Sequence, residues 1–204
     1  MRCRETAIFA YGWFISVIAA HAIAAEDIVI GDFETEANVQ AWMAHGSEEN
    51  ISAYELTTAH AVSGKTLKAT FQPAKFPGIA IDEQGLQKRN ATNWSDCHTL
   101  KFSVHADSAV DLNIRIDDTK STGYNTRYNN KIPLKQGANY IQISIRSIAQ
   151  AVDVSAIKFL LLYLSSTKRE HTLTFDSIAI GASEPLREKN AAFASLEAMP
   201  VPYR

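Results

Sequence analysis

The chain has 204 residues, of which 46% are hydrophobic and 21% are charged, and its formal net charge is −2. This near-neutral balance provides no basic field, which excludes nucleic acid and anionic lipid surfaces as partners. The length is ordinary for one domain that builds its core without disulfides or a metal cluster.

The first 25 residues have the pattern of a cleaved secretory signal peptide. Two arginines precede a mostly apolar stretch over 7–20, and Ala22-Ile23-Ala24 then supplies the small-x-small motif of a cleavage site. The apolar stretch is shorter than the roughly 20 residues that a membrane span needs. We therefore predict a secreted or periplasmic protein without a membrane anchor, whose mature chain begins at Ala25 or Glu26.

The body of the chain, over 26–182, has the period of β-strands. Apolar and polar side chains alternate in four segments, as expected for strands with one buried face. The apolar members are Leu67, Ala69 and Phe71; Leu100, Phe102 and Val104; Leu112, Ile114 and Ile116; and Ile141, Ile143 and Ile145. The run 157–164 is apolar at nearly every position, which is typical of an inner strand or one covered on both faces. These features predict an all-β fold, an antiparallel two-sheet jelly-roll β-sandwich.

The last predicted strand contains an irregularity. Leu173 and Phe175 have one parity, whereas Ile178 and Ile180 have the other. A β-bulge at Asp176-Ser177 would account for this change of register and would redirect the carboxylate. Beyond this strand, 183–204 has no strand period, so we expect a flexible tail. A short amphipathic helix over 191–199 is the alternative for the tail.

Acidic residues accompany both the first and the last predicted strands. Asp32 and Glu34 belong to the first segment, and Asp176 belongs to the last. In a jelly roll these two strands can lie side by side, so their carboxylates can converge on a hard cation such as Ca²⁺. The alternative is that the three acids are solvated or cap turns.

Several short motifs occur in an order that resembles a known family. They are Asp32-Phe33-Glu34, Trp42, Gly64-Lys65-Thr66-Leu67-Lys68, Asn93-Trp94-Ser95, Leu100-Lys101-Phe102, Arg115-Ile116-Asp117-Asp118 and Phe175-Asp176-Ser177-Ile178. Over 28–181 the chain resembles the carbohydrate-binding-module-like branch of the galactose-binding-domain-like β-sandwiches. The resemblance implies a structural calcium ion held by Glu34, the carbonyl of Lys65 and Asp176, with Asp32 as a further candidate.

The segment 115–130 is the strongest candidate for ligand contact. Sugar recognition uses aromatic faces for stacking and charged or amide side chains for hydroxyl groups, and this segment holds both kinds. The candidate ligand-binding residues are Arg115, Asp117, Asp118, Tyr124, Arg127 and Tyr128. In the alternative interpretation, Asp117 or Asp118 forms a cross-strand ion pair with Arg127, and Tyr128 packs at the edge of the core. Trp42 and Trp94 are expected to anchor the core or the edge of the fold.

The sequence contains no recognisable catalytic motif. It has no His-Glu-x-x-His, no Gly-x-Ser-x-Gly and no phosphate-binding glycine-rich loop. We therefore predict a secreted, noncatalytic carbohydrate-binding-like module with a structural calcium site, whose partner is a glycan. The alternative is a protein-interaction or scaffold domain that binds a secreted or periplasmic protein on the same sandwich, as in complex I intermediate-associated proteins. Fold alone does not distinguish these two classes.

Overall fold

The computed structural model of the chain describes residues 26–45, 54–165 and 167–181. The predicted signal peptide over 1–25 and the predicted tail over 183–204 lie outside these residues. Eleven strands occur in the described part: β1 (Ile28–Gly31), β2 (Trp42–His45), β3 (Tyr54–Thr57), β4 (Thr66–Phe71), β5 (Gly78–Ile81), β6 (Thr99–Ala106), β7 (Val110–Asp118), β8 (Tyr128–Leu134), β9 (Gly137–Ser144), β10 (Ile157–Leu164) and β11 (His171–Gly181).

Helical structure is confined to short connections. The α-helices are α1 (Glu36–Gln40), α2 (Glu83–Gln87) and α3 (Ile145–Ile148), and a 3-10 turn spans Tyr124–Thr126. Ile145, expected to continue the alternation of β9, instead begins α3. None of the helices in the described ranges is long and apolar enough to span a membrane.

The strands form two antiparallel sheets. Sheet A has the order β3-β4-β11-β6-β9, with β1 paired to β11, and sheet B has the order β2-β5-β10-β7-β8. The prediction of an antiparallel two-sheet sandwich is therefore confirmed. Ile28 of the first strand lies opposite Ile180 of the last strand, so the expected pairing of the first and last strands is also confirmed.

The core lies between the inner faces of the two sheets. The predicted alternating sets supply much of it, and Trp42 and Trp94 are both buried within it, as expected. Burial of this apolar surface is the main stabilising contribution to the fold. In β11, the pairing with β6 shifts between Asp176 and Ala179, and Ser177 has φ of 55°. The predicted bulge is confirmed, and it allows residues of both parities to face the core.

Candidate functional site

The outer surface of sheet B follows from its strand register. One row across the five strands faces the core and consists of Trp42, Ile81, Leu160, Ile116 and Tyr128. Because strand side chains alternate between faces, the next row faces outward. It consists of Met43, Ala80, Leu161, Arg115 and Asn129. We call this outer surface the sheet B platform; it carries His45, Asn113, Arg115, Asp117, Asn129, Phe159 and Tyr163.

Aromatic rings line the β10 part of the platform. Tyr163 is half-buried and meets Phe76, from the segment before β5, edge to face at a centroid distance of 6.0 Å. Phe76 is 44% exposed, so this pair offers apolar ring surface to solvent. The neighbouring strand makes room for Tyr163, because a Cβ on Gly78 would lie 2.7 Å from the Tyr163 Cβ.

Phe159 joins three strands on the platform. Its ring lies 6.1 Å from the His45 ring of β2 and 5.2 Å from the Arg115 guanidinium carbon of β7. Burial lowers the pKa of His45, and the positive charge of Arg115 lowers it further. Both effects favour the neutral form of the imidazole beside the guanidinium.

Arg115 and Asp117 form a two-pronged ion pair on β7. Arg115 Nε donates to Asp117 Oδ1 at 2.8 Å, and Arg115 Nη2 donates to Asp117 Oδ2 at 2.5 Å. This hydrogen bonding raises the pKa of Arg115. The side chain of Asp117 is 7% exposed and that of Arg115 is 26% exposed, so Arg115 keeps some surface for a ligand. The partner of Asp117 is thus Arg115, and the alternative in which Arg127 fills this role is wrong.

Two of the predicted ligand residues lie away from the platform surface. Asp118 accepts hydrogen bonds from the amides of Lys120 (2.9 Å) and Asp153 (2.6 Å) and from the Ser121 hydroxyl (2.8 Å), so it fastens the loop after β7. Burial opposes ionisation of Asp118, but these hydrogen bonds outweigh it and lower its pKa. Tyr128 is 8% exposed and packs in the core, as the alternative interpretation expected.

Tyr124 and Arg127 meet at the corner where β8 begins. Tyr124 is 67% exposed, and the Arg127 guanidinium carbon lies 5.2 Å from its ring centroid. The turn that carries them is fixed by the Thr126 hydroxyl oxygen, which accepts hydrogen bonds from the amides of Thr122 and Gly123 at 2.9 Å. This corner therefore combines an accessible ring with a cation.

The platform includes aromatic residues that the sequence did not single out. His45, Phe76, Phe159 and Tyr163 come from three segments far apart in the chain. The run 157–164 is apolar at both parities, which conceals the outward-facing positions. Only the pairing of β10 with β5 and β7 reveals that Phe159 and Tyr163 share the outer face with Arg115.

A second feature of the fold is the region at the end of β1 where Glu34, Gly64 and Asp176 lie near one another, which we call the cleft. The amide of Lys65 donates to Glu34 Oε2 at 3.1 Å. Gly64 has φ of 66°, and a Cβ at this position would collide with the Glu34 carboxylate. Glycine is therefore required here both for its backbone conformation and for the close approach of Glu34.

Asp176 lies in the same cleft. Its Oδ2 accepts from the amide of Val62 at 2.8 Å and its Oδ1 from the Ser177 hydroxyl at 3.0 Å. Burial raises the pKa of Asp176, and the negative charge of the nearby Glu34 raises it further. The hydrogen bonds from Val62 and Ser177 act in the opposite direction but do not cancel the rise. Asp176 is buried and Glu34 is exposed, and two neighbouring carboxylates are the kind of oxygen donors that a hard divalent cation stabilises.

Asp32 is directed away from this cleft. Its Oδ1 accepts from the Asn38 side-chain amide and from the Glu34 amide at 3.3 Å. Among the described residues, no group of three or more His, Cys, Asp or Glu side chains is arranged to hold a metal ion. A cation between Glu34 and Asp176 would therefore depend on backbone carbonyls, such as that of Lys65, and on water.

Solved structures place this architecture among known folds. A family 11 carbohydrate-binding module from Clostridium thermocellum, in complex with a β-1,3-1,4-mixed-linked tetrasaccharide, has a TM-score of 0.59 and 13% identity over 76% of this chain and 95% of that chain. This domain has the β-sandwich fold of carbohydrate-binding modules. A non-crystalline cellulose specific module, CBM28, has a TM-score of 0.55 and 12% identity over 78% of this chain and 97% of that chain.

The same carbohydrate-binding-module fold occurs inside larger proteins. An exo-β-agarase has a TM-score of 0.58 and 15% identity over 77% of this chain, but the match covers only 25% of the agarase chain. No protein-family model and no curated protein matches the sequence. At these identities the likeness establishes the fold, and function has to be argued from the residues of this chain.

Proposed function

We propose that this domain is a noncatalytic glycan-binding module whose ligand lies on the sheet B platform. The observation that carries the proposal is the pairing of exposed Phe76 with half-buried Tyr163 on the same surface as the Arg115-Asp117 ion pair. Aromatic rings stack on the C–H faces of sugars, and charged side chains hydrogen-bond their hydroxyl groups. The neighbouring folds include a module solved with a mixed-linked tetrasaccharide, which supports a glycan as the ligand class.

The carboxylates at the end of β7 support binding rather than hydrolysis. Asp117 is engaged by both prongs of Arg115, and Asp118 is engaged by the loop amides. A glycosidase needs two carboxyl groups that flank one bond, about 5 to 9.5 Å apart. Adjacent residues of a strand project to opposite faces, so Asp117 and Asp118 do not form such a pair.

The proposal is tested by a glycan array followed by calorimetry on the ligands found. Tyr163→Ala should weaken glycan binding about tenfold or more, because it removes a stacking surface. Tyr140→Ala is the matched control, since Tyr140 is also half-buried but lies on β9 of sheet A. Equal affinities of the two variants for the glycan would place the binding surface elsewhere.

A second candidate function is docking of a polypeptide on the platform side of the domain. Met43, Phe76 and Tyr124 are 39%, 44% and 67% exposed, and large exposed apolar side chains favour protein interfaces. A protein-interaction domain of this kind would bind no sugar on the array. It would instead retain a secreted or periplasmic protein, and Met43→Ser together with Phe76→Ser would release that protein.

We infer further that the cleft beside Gly64 binds a structural Ca²⁺ ion. Glu34, the carbonyl of Lys65 and Asp176 are the proposed ligands, with Asp32 in a supporting position outside the cleft. The proximity of two carboxylates, one of them buried, supports this assignment. Ca²⁺ takes about 6 to 8 oxygen ligands, so further carbonyls and water would complete the site. The ion would join β1 and β11 and thereby stabilise both ends of the domain.

We also propose that the protein is exported. The support is the leader pattern over 1–25, whose cleavage would leave the described domain intact. An extracellular or periplasmic location would give the platform access to glycans and would supply Ca²⁺ at concentrations suited to weak structural sites.

A further inference from the structure

Arg127 is an uncompensated cation beside the platform. Within the described residues it forms no ion pair, and its Nε is buried without a hydrogen-bond partner. Its guanidinium instead stacks on the Tyr124 ring. Three other cations on this side of the domain have carboxylate partners: Arg115 with Asp117, Lys120 with Asp153, and Lys131 with Asp111.

Asn129 supplies an unsatisfied acceptor next to this donor. Its Nδ2 donates to the carbonyl of Tyr124 at 3.2 Å, whereas its Oδ1 is buried without a partner. Arg127 and Asn129 flank the core residue Tyr128, so both side chains project to the outer side of the sheet. A buried donor and a buried acceptor without partners are unusual in native proteins, so these two atoms are candidates for contact with a ligand.

Lys158 of β10 adds positive charge to the same corner. Lys158 Nζ donates to the carbonyl of Ser121 at 3.2 Å, and it has no carboxylate partner in the described part of the chain. The nearby acids are already engaged, Asp117 by Arg115 and Asp118 by backbone amides. The corner therefore presents two cations whose charge no neighbouring carboxylate cancels.

We propose that the glycan of this module carries an acidic group, a carboxylate or a sulfate, which Arg127 binds at the Tyr124 corner. The inference rests on the proposed glycan-binding function. A guanidinium binds such anionic groups through two parallel hydrogen bonds, and Asn129 Oδ1 then accepts a hydroxyl of the same sugar. Because Arg127 Nε has no accessible surface, the ligand displaces the guanidinium from Tyr124 and frees that ring for stacking.

The experiment compares oligosaccharides of equal length on the full mature protein. A neutral glucan, a uronic acid oligomer and a sulfated galactan oligomer are titrated by calorimetry at low and high salt. Wild-type protein should bind one of the acidic oligomers about tenfold more tightly than the neutral one, and added salt should reduce this preference. The uronate and sulfate arms distinguish the two sources of negative charge.

Variants test whether Arg127, rather than another part of the platform, causes the preference for acidic oligomers. Arg127→Gln should abolish the acidic preference without changing the melting temperature, and Arg127→Lys should retain part of the preference. Lys120→Gln removes an equally positive, exposed side chain of the same loop and should leave the preference intact. A neutral ligand bound as tightly as the acidic ones, or a preference that survives Arg127→Gln, would overturn the inference but not the proposed function. No glycan binding by the wild type would overturn both.

Discussion

The carboxylates of Glu34 and Asp176 lie close enough for Glu34 to add to the raised pKa of Asp176, which burial raises first. The two residues stand near the ends of the described chain and meet because β1 pairs with β11. A divalent cation bound by both carboxylates would offset their mutual repulsion, so the proposed calcium ion would stabilise the fold.

Removal of calcium should destabilise the domain. If the cleft binds Ca²⁺, excess chelator lowers the melting temperature by mass action, and readdition restores it. Glu34→Gln should weaken calcium uptake more than Asp32→Asn, since Asp32 is engaged by Asn38 outside the cleft. Differential scanning fluorimetry and calorimetric titration check both points. An unchanged melting temperature in chelator, with no calcium uptake, would rule out the site.

The Arg115-Asp117 ion pair should contribute to stability, whereas Arg127 should not. Arg115→Met leaves the 7% exposed Asp117 carboxylate without its partner and should cost about 1 to 3 kcal/mol of unfolding free energy. Arg127→Ala breaks no ion pair and should change stability by less than about 0.5 kcal/mol. Urea unfolding of the two variants measures the difference. Comparable losses in both would mean that Arg127 has a structural role after all.

Acidification should destabilise the platform through His45. The pKa of His45 is lowered below its ordinary value of 6.5 by burial and by Arg115, so the unfolded chain binds this proton more readily than the folded one. The stability associated with neutral His45 is complete above pH 6.5 and is lost as the pH falls toward the lowered value.

His45→Gln should therefore flatten the pH dependence of the melting temperature below pH 6.5. His98→Gln, at an exposed position outside sheet B, serves as the comparison and should retain the wild-type slope. The same slope in wild type and His45→Gln would show that another group controls the acid response.

The exported protein should begin at Ala25 or Glu26. Signal peptidase cleaves after a small-x-small motif, and Ala22-Ile23-Ala24 provides it. Intact mass spectrometry of protein recovered from the periplasm or the medium gives the start directly. A product that still begins at Met1 would contradict both the cleavage and the proposed location, while Ala24→Asp should block the processing.

The strands and the bulge could be predicted from the sequence because each depends on local alternation of apolar residues. The parity change between Phe175 and Ile178 was enough to place the bulge at Asp176. Which side chains of β8 and β10 face the core could not be predicted in this way. Tyr128 begins a strand of mostly polar residues, and 157–164 is apolar at both parities, so neither segment has an alternation to read.

The candidate cleft was predictable in part, since Glu34 and Asp176 come together through the pairing of the first and last strands. The partner of Asp117 was not predictable, because Arg115 and Arg127 are equally plausible in sequence. The choice depends on side-chain geometry along β7, where Arg115 lies two residues away on the same face. Which of two nearby arginines pairs with a carboxylate depends on the side-chain rotamers, and these cannot be read from the sequence.

The pairing of β1 with β11 also fixes how the domain can be attached to a support. Ile28 and Ile180 are neighbours, so the described domain begins and finishes side by side on sheet A. The platform lies on the outer side of sheet B, across the packed core, and sheets in such sandwiches are about 10 Å apart. A tether fused at either end would hold the molecule in nearly the same orientation and leave the platform pointing away from the support.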